Sequence, residues 1–270
     1  MRILFIGDIY GRSGREAVAK HLPILQEKLS PDIVIANGEN SAHGIGITEK
    51  ICAELYELGV DVITLGNHSW DQREIFSYIQ RDKNLLRPLN YPEGTPGQGY
   101  VIHQAQNGQK ILIMNAMGRV FMDPLDDPFT LTGKIVNQHK IGQKVDAIFV
   151  DFHAETTSES MSFAHYLDGK VSAIVGTHTH IPTADAQIFD QGTGFQCDAG
   201  MTGNYNSVIG VKPNVPIHRF TKRTPTDRKQ PAEGEGTLCG TLIETGENGL
   251  CKNIAPVRVG PRLQNSVPEF

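Results

Sequence analysis

Paired cysteines, long apolar runs and an excess of positive charge are all missing from this sequence of 270 residues. The four cysteines, Cys52, Cys197, Cys239 and Cys251, form no CxxC pair, which excludes a zinc-knuckle framework and a dense disulfide scaffold. They read as reduced, mostly buried thiols. No apolar stretch approaches the roughly 20 residues that a membrane helix needs, and the opening MRILFIGD meets an aspartate before a cleavable signal pattern can form. The chain therefore reads as cytoplasmic, with no membrane partner. A net charge of -5 argues against the basic face with which duplex nucleic-acid binders displace counterions, while leaving room for a local basic patch. Internal repeats, low-complexity tracts and a Walker A phosphate loop are absent too.

What the sequence does have is 28 glycines, 15 prolines and 10 histidines, in a background that is 39% hydrophobic and 20% charged. That is the composition of a folded, turn-rich globular protein, and the length suits one large α/β core, so residues 1–270 are read as one domain. Short β-rich runs recur, and each stops at a polar cluster: RILFIG before Asp8, DIVIAN before Gly38-Glu39-Asn40, DVITLG before Asn67-His68. KILIMNA, AIFVDF before His153, and SAIVG before His178 and His180 follow the same plan. Between the first three runs, SGREAVAKHLPILQEKL and TEKICAELYELG have helical apolar spacing, giving a β-α-β-α-β opening and a parallel or mixed sheet. Thr48 is the N-cap candidate of the second helix and Gly59 its stop, whereas Pro23 predicts a kink or break within the first. REIFSYIQRD predicts another helix, and the Pro- and Gly-rich NYPEGTPGQG a loop. Beyond about residue 185 short strands dominate (QIFD, GFQCDAG, GTLCGTLIET, CKNIAPVRV), and the basic, proline-bearing stretch through Arg219 and Lys229 reads as a long loop.

In open α/β sheets, ligands sit beyond the carboxyl ends of the strands, and that is where the polar residues collect. Taken one at a time, Asp8 has a bland explanation as a helix N-terminal charge, Asn40 and Asn67 as turn residues, and His153 as a satisfied core imidazole. As a set, carboxylate, amide and imidazole are the ligand chemistry of borderline transition metals. On an extended segment His178 and His180 point to one side, so THTH can deliver two imidazoles to neighbouring positions in one pocket, or one to each of two adjacent ions. Glu39 is the natural bridge, because a carboxylate can link two cations roughly 3.5–4 Å apart. Neutral Asn40 and Asn67 add ligands without adding charge. His68 follows Asn67 directly, so its side chain diverges from it and is free to protonate a leaving oxygen. The glycine-rich turn GDIYGRSGR runs into a helix whose first amides can cradle an anion, although Arg12 and Arg15 alone carry little weight.

The ordered set GD(8), GEN(39, 40), GNH(67, 68), H(153) and GTHTH(178, 180) resembles the calcineurin-like metallophosphoesterases from residue 1 to about residue 205. Two positions depart from that superfamily: Tyr10 stands where it has the His of D-x-H, and Glu39 where it has a bridging Asp. With GDIxGxxGR, NGEN, GTHTHxPTAD and DAGMTG, the same departures resemble one branch, the YmdB-like bacterial phosphodiesterases. The resemblance implies two mixed β-sheets packed as a sandwich flanked by helices, with two metal ions at one edge. Iron or manganese is implied before zinc. Asp8, Glu39, Asn40 and His180 are implied to hold one ion, and Glu39, Asn67, His153 and His178 the other, with Asn40 in the place that Tyr10 vacates. Asn67, His68 and His153 are also implied to meet substrate, a small phosphodiester or 2′,3′-cyclic nucleotide. In the implied mechanism a metal-bridging hydroxide attacks phosphorus in line, with His68 as the general acid. A phosphomonoesterase and a nucleotide-sensing regulatory protein with little turnover are the alternatives, and self-association is left open. A TIM-barrel amidohydrolase also uses an HxH pair, but places it on the first strand, which here ends in Asp8.

Overall fold

The computed structural model describes residues 1–270. In chain order the first half contains β1 (Arg2–Ile6), α1 (Gly11–Leu29), β2 (Ile33–Asn37), α2 (Glu49–Glu57), β3 (Val62–Thr64), α3 (Ile75–Tyr78), β4 (Leu85–Leu86), β5 (Tyr100–Gln104) and β6 (Lys110–Met117). The second half contains α4 (Pro128–Gln138), β7 (Ala147–His153), α5 (Thr157–Tyr166), β8 (Ala173–Thr177), β9 (Gln187–Ile188), β10 (Gly194–Gln196), α6 (Asn214–Lys222), β11 (Leu238–Thr245) and β12 (Cys251–Val259). The strands form two six-stranded mixed sheets, in the orders β12-β11-β1-β2-β3-β4 and β5-β6-β7-β8-β10-β9. This is the expected sandwich of mixed sheets flanked by helices.

Period-two alternation explains the layering. From β1, Ile3 and Phe5 turn into the layer between the sheets, where Phe5 meets Phe149 of β7 at 5.1 Å between ring centroids. Leu4 and Ile6 turn outward, onto the cluster that holds Val18, Leu22 and Leu25 of α1 and Ile51 and Leu55 of α2. The second sheet repeats the plan: Ile111, Ile113 and Phe149 face inward, while Leu112, Ile148 and Val150 join Phe163 and Ala164 of α5. Because β1, β2 and β3 are parallel, as are β6, β7 and β8, their carboxyl ends lie along a common edge of each sheet.

The cap and stop of α2 are as expected: Thr48 Oγ1 accepts from Ile51 N–H at 3.3 Å, and Gly59 has φ +94°. Pro23 does not break α1, which runs unbroken for 19 residues. An interior proline costs about 3 kcal/mol, and burying Val18, Leu22, Leu25 and Leu29 offsets that at roughly 1.5–3 kcal/mol each. REIFSYIQRD shortens to the four residues of α3, since only Ile75 and Ile79 of that stretch are buried in the core, with Tyr78 packed against its side. The basic stretch is not wholly loop either. It contains α6, whose last turn carries Arg219 and Lys222 near the carbonyl end, where cations are favoured. No helix of the structure is long and apolar enough to cross a membrane.

Candidate metal centre

Five strand ends converge at the common edge. Asp8 follows β1, Glu39 and Asn40 follow β2, Asn67 and His68 follow β3, His153 closes β7, and His178 and His180 follow β8. The structure brings all eight together. Asp8 Oδ2 accepts the His178 backbone N–H at 3.1 Å, and Glu39 Oε2 accepts that of His68 at 2.9 Å. His153 Nε2 lies 3.1 Å from Glu39 Oε1, 3.0 Å from Asn67 Oδ1 and 3.1 Å from His178 Nδ1. Asn40 Nδ2 donates to Glu39 Oε1 at 3.1 Å and to His180 Nε2 at 3.3 Å.

Two groups emerge from these contacts, one around Asn40 and His180 and one around Asn67, His153 and His178, with Glu39 touching both. Asn40 turns its NH₂ inward, so its oxygen would face the centre only after a half-turn of the amide. His68 stands at the rim with its side chain 34% exposed and its Nδ1 2.6 Å from Asp71 Oδ2, diverging from Asn67 as expected.

THTH differs from expectation. It is a bend and not an extended segment, with φ +106° at His178 and +67° at His180. Asp198 imposes this shape. Its Oδ2 accepts both the N–H and the hydroxyl of Thr179, at 2.9 and 2.8 Å, and its Oδ1 accepts Gly200 N–H at 2.7 Å. The turn sends the two imidazoles into separate groups, the second of the two arrangements expected for the pair, by a backbone route that is not extended. Non-glycine residues reach this backbone region at an energetic cost, which the Asp198 clamp offsets.

A ring of orienting residues behind the donors went unrecognised in the sequence. Thr177 Oγ1 donates its one hydrogen to Asp151 Oδ1 at 2.7 Å, so His153 Nδ1, 2.8 Å from the same hydroxyl oxygen, must be the donor there. That leaves His153 Nε2 aimed at the centre. Asp151 is itself held by Asn37 at 2.9 Å and Thr64 at 2.5 Å, from β2 and β3, and so ties one sheet to the other. His180 Nδ1 donates to the Ile209 carbonyl at 2.9 Å, again freeing Nε2 for the centre. His178 Nε2 meets Glu155 Oε2 at 2.9 Å, which leaves Nδ1 as its inward atom. Tyr10, at the position of the superfamily histidine, instead stands edge-on to His180 at 5.4 Å.

The electrostatics are those of a site built for cations. Burial pushes Asp8 up to about 7, and its Oδ1 has no hydrogen-bond partner although buried. Burial also opposes the charges of Glu39 and His153, but their mutual attraction wins, holding Glu39 below the carboxylate range and His153 above the imidazole range. The proton on His153 Nε2 is what an entering cation would displace. Burial, and next the neighbouring His153, bring His178 down to about 3, which keeps its inward nitrogen unprotonated. One donor atom from each of Glu39, His153 and His178 lies within 4.8 Å of the others. With the orphaned Asp8 oxygen nearby, this mixed oxygen and nitrogen set fits a transition-metal cation.

Comparison with known proteins gives concordant matches. The YmdB-like protein family matches residues 4–257. The chain is 47% identical over 244 residues to the 2′,3′-cyclic-nucleotide 2′-phosphodiesterase of Bacillus subtilis (strain 168), covering 90% of this chain and 91% of that protein. A crystal structure of a hypothetical protein from Thermus thermophilus superposes with a TM-score of 0.89 at 42% identity, over 97% of this chain and all of the other. That of a phosphatase from Mycoplasma pneumoniae gives 0.89 at 33% identity, over 96% and 93%.

Proposed function

The chain belongs to the YmdB-like family, and on that premise we propose that it is a metal-dependent phosphodiesterase acting on 2′,3′-cyclic nucleotides, with residues 1–270 working as one metallophosphoesterase domain. The observation that carries the reading is the convergence of seven donor residues from five strand ends around an unpartnered, buried Asp8 oxygen. Asp8, Glu39, Asn40 and His180 would hold one transition-metal ion, and Glu39, Asn67, His153 and His178 a second, iron or manganese before zinc. Bound there, the ions supply Lewis acidity and make hydroxide available at neutral pH.

The chain's own residues do the rest. Glu39 stands between the two groups, with Oε1 beside both His153 and Asn40, and Oε2 fixed by the His68 amide. Asn67 and His153 line the face that a phosphoryl group meets. Asp71 accepts His68 Nδ1–H, which leaves Nε2 as the proton-delivering atom. In the proposed step the oxygen of a hydroxide ion, its proton already lost to solvent, bonds to phosphorus while the bond from phosphorus to the ribose 2′ oxygen breaks. That oxygen takes the proton from His68 Nε2, and a 3′-phosphate remains. The four buried thiols suit a reducing cytoplasm.

The test is elemental analysis of anaerobically purified protein, followed by assay of the same sample on 2′,3′-cyclic AMP, bis-p-nitrophenyl phosphate and a phosphomonoester. About two transition-metal equivalents with a preference for diesters is the expected result. Metal content with saturable nucleotide binding and no turnover of any ester would overturn the enzyme reading in favour of a sensor.

A further inference from the structure

One surface has no task in this scheme. Residues 212–230 form an arm closed at its base by the bridge between Val211 and Pro231, by Lys212 N–H donating to Gln230 O at 2.9 Å and by Ala232 N–H donating to Gly210 O at 2.7 Å. The base is fastened to the metal centre. Ile209, just before it, accepts from His180 Nδ1, and Gly210 lies so close to the Tyr10 ring that a Cβ there would come within 2.6 Å of it.

The arm is sharply different in charge from the rest of the chain. Of the 25 lysines and arginines it holds six (Lys212, Arg219, Lys222, Arg223, Arg228 and Lys229), and of the 30 acidic residues only Asp227. Lys212 pairs with Glu233 at 2.7 Å. The other five cations are exposed and have no carboxylate partner. Arg219 and Lys222 lie one turn apart on α6 and Arg223 caps its end in the left-handed conformation, with Ile217 and Phe220 on the same helix, 55% and 86% exposed. Cations interleaved with an exposed aromatic ring, rooted at a site that handles phosphodiesters, match the chemistry of a single nucleic-acid strand.

We infer that this arm holds the single-stranded ribonucleotide chain upstream of a 2′,3′-cyclic phosphate, so that RNA fragments with cyclic 3′ ends are substrates of the neighbouring site. The inference rests on the cyclic-nucleotide reading above. Breakage of RNA by its own 2′-hydroxyl leaves such an end, which puts the cyclic ester and a run of backbone phosphates on one molecule. The arm's cations neutralise those phosphates, and Phe220 stacks on a base. Duplex is not required, and the acidic remainder of the chain disfavours it.

Two measurements test this. Fluorescence anisotropy with a fluorescein-labelled oligouridylate ending in a 3′-phosphate is expected to show binding that weakens with salt. Each neutralised phosphate of a single strand contributes about −0.7 to the slope of log affinity against log salt, so five cations give about −3.5 and the R219A/K222A/R223A variant loses about 2 of that. Hydrolysis is expected to separate the substrates: the same variant loses at least about tenfold in kcat/KM on an oligouridylate with a cyclic 3′ end and keeps its kcat/KM on 2′,3′-cyclic UMP. That retained activity also shows that the variant is folded. Phe220→Ala, which leaves the charge intact, is expected to weaken oligonucleotide binding without changing the salt slope.

Equal losses on both substrates, or on neither, would overturn the inference. So would binding to vesicles of phosphatidylglycerol and phosphatidylethanolamine that the substitutions abolish while oligonucleotide binding is unchanged, which would make α6 an interfacial helix. Absence of turnover of 2′,3′-cyclic UMP by the unaltered protein overturns the site reading alone, because the anisotropy measurement does not depend on it.

Discussion

Gly66 gives the sharpest test of how the centre is assembled. A methyl group at this position would sit deep inside van der Waals contact with Glu39 Oε2 and with Cδ2 and Nε2 of His153, the atoms on which the proposed donor set turns. These neighbours are the far ends of side chains and not backbone, so in Gly66→Ala they can swing aside and the fold survives. What is lost is their convergence. Overpacking a filled interior costs typically about 1–3 kcal/mol, and charged against cation affinity that amounts to roughly 5- to 150-fold. Gly246, in the turn between β11 and β12, supplies the control, because a methyl there meets only Asn248 Oδ1 at 3.2 Å and Leu250 O at 3.9 Å. The assay is cation affinity by titration of metal-free protein, with melting temperature and diesterase turnover on the same preparations. Gly66→Ala is expected to bind cations more weakly and turn over more slowly at a melting temperature near that of Gly246→Ala. Unchanged affinity and turnover would refute the argument that Glu39 and His153 must meet at the Gly66 position.

Replacing His68 by Ala is expected to lower turnover by roughly 10²–10⁴-fold with cation content unchanged; full activity would remove His68 as the proton donor. Asp8→Asn is expected to raise the melting temperature of metal-free protein at about pH 8, by removing a buried charge whose Oδ1 lacks a partner, while lowering the cation content of loaded protein. A variant that melts lower when metal-free would contradict this. Burial pushes the His21 imidazole below its ordinary 6.5, and its Nε2 is unpartnered. The unfolded chain therefore takes up a proton that the folded one resists, so this contribution to stability is present above the unfolded value and lost as pH falls. His21→Leu is expected to show a shallower drop in melting temperature than the unaltered protein between about pH 7 and about pH 5; parallel curves would dismiss the contribution.

The strand ends were readable because a continuous β-branched run that stops at a polar cluster marks a buried strand and the point where it meets solvent. All eight candidate residues lie at one edge for that reason. The bend at THTH was not readable, since nothing local in GTHTH announces positive φ at histidine; it depends on Asp198, 18 residues beyond His180 in the chain. Glu155 and Asp71 escaped notice for a related reason: their roles rest on a side-chain orientation that spacing does not encode. Thr177 and Asp151 were hidden inside apolar strands, where they read as minor interruptions. Helix α4 was within reach, because Asp127 followed by Pro128 is a recognisable helix start, and Asp127 does accept from Phe129 N–H at 3.1 Å and Thr130 N–H at 3.3 Å. At α6, by contrast, prolines and charge obscure a nine-residue helix whose Pro216 falls in its first turn and is tolerated there.

Asp151 sits on the second sheet yet is gripped by Asn37 and Thr64 from the first. The two halves of the sandwich are thereby kept from sliding past each other just beneath the reactive edge. A substitution far from any donor, such as one that reshapes the Phe5 and Phe149 contact, would offset one slab against the other and detune the chemistry from the interior. Conversely, ions seated across the gap would rivet the slabs together, so the catalyst and the scaffold would draw their rigidity from the same few bonds.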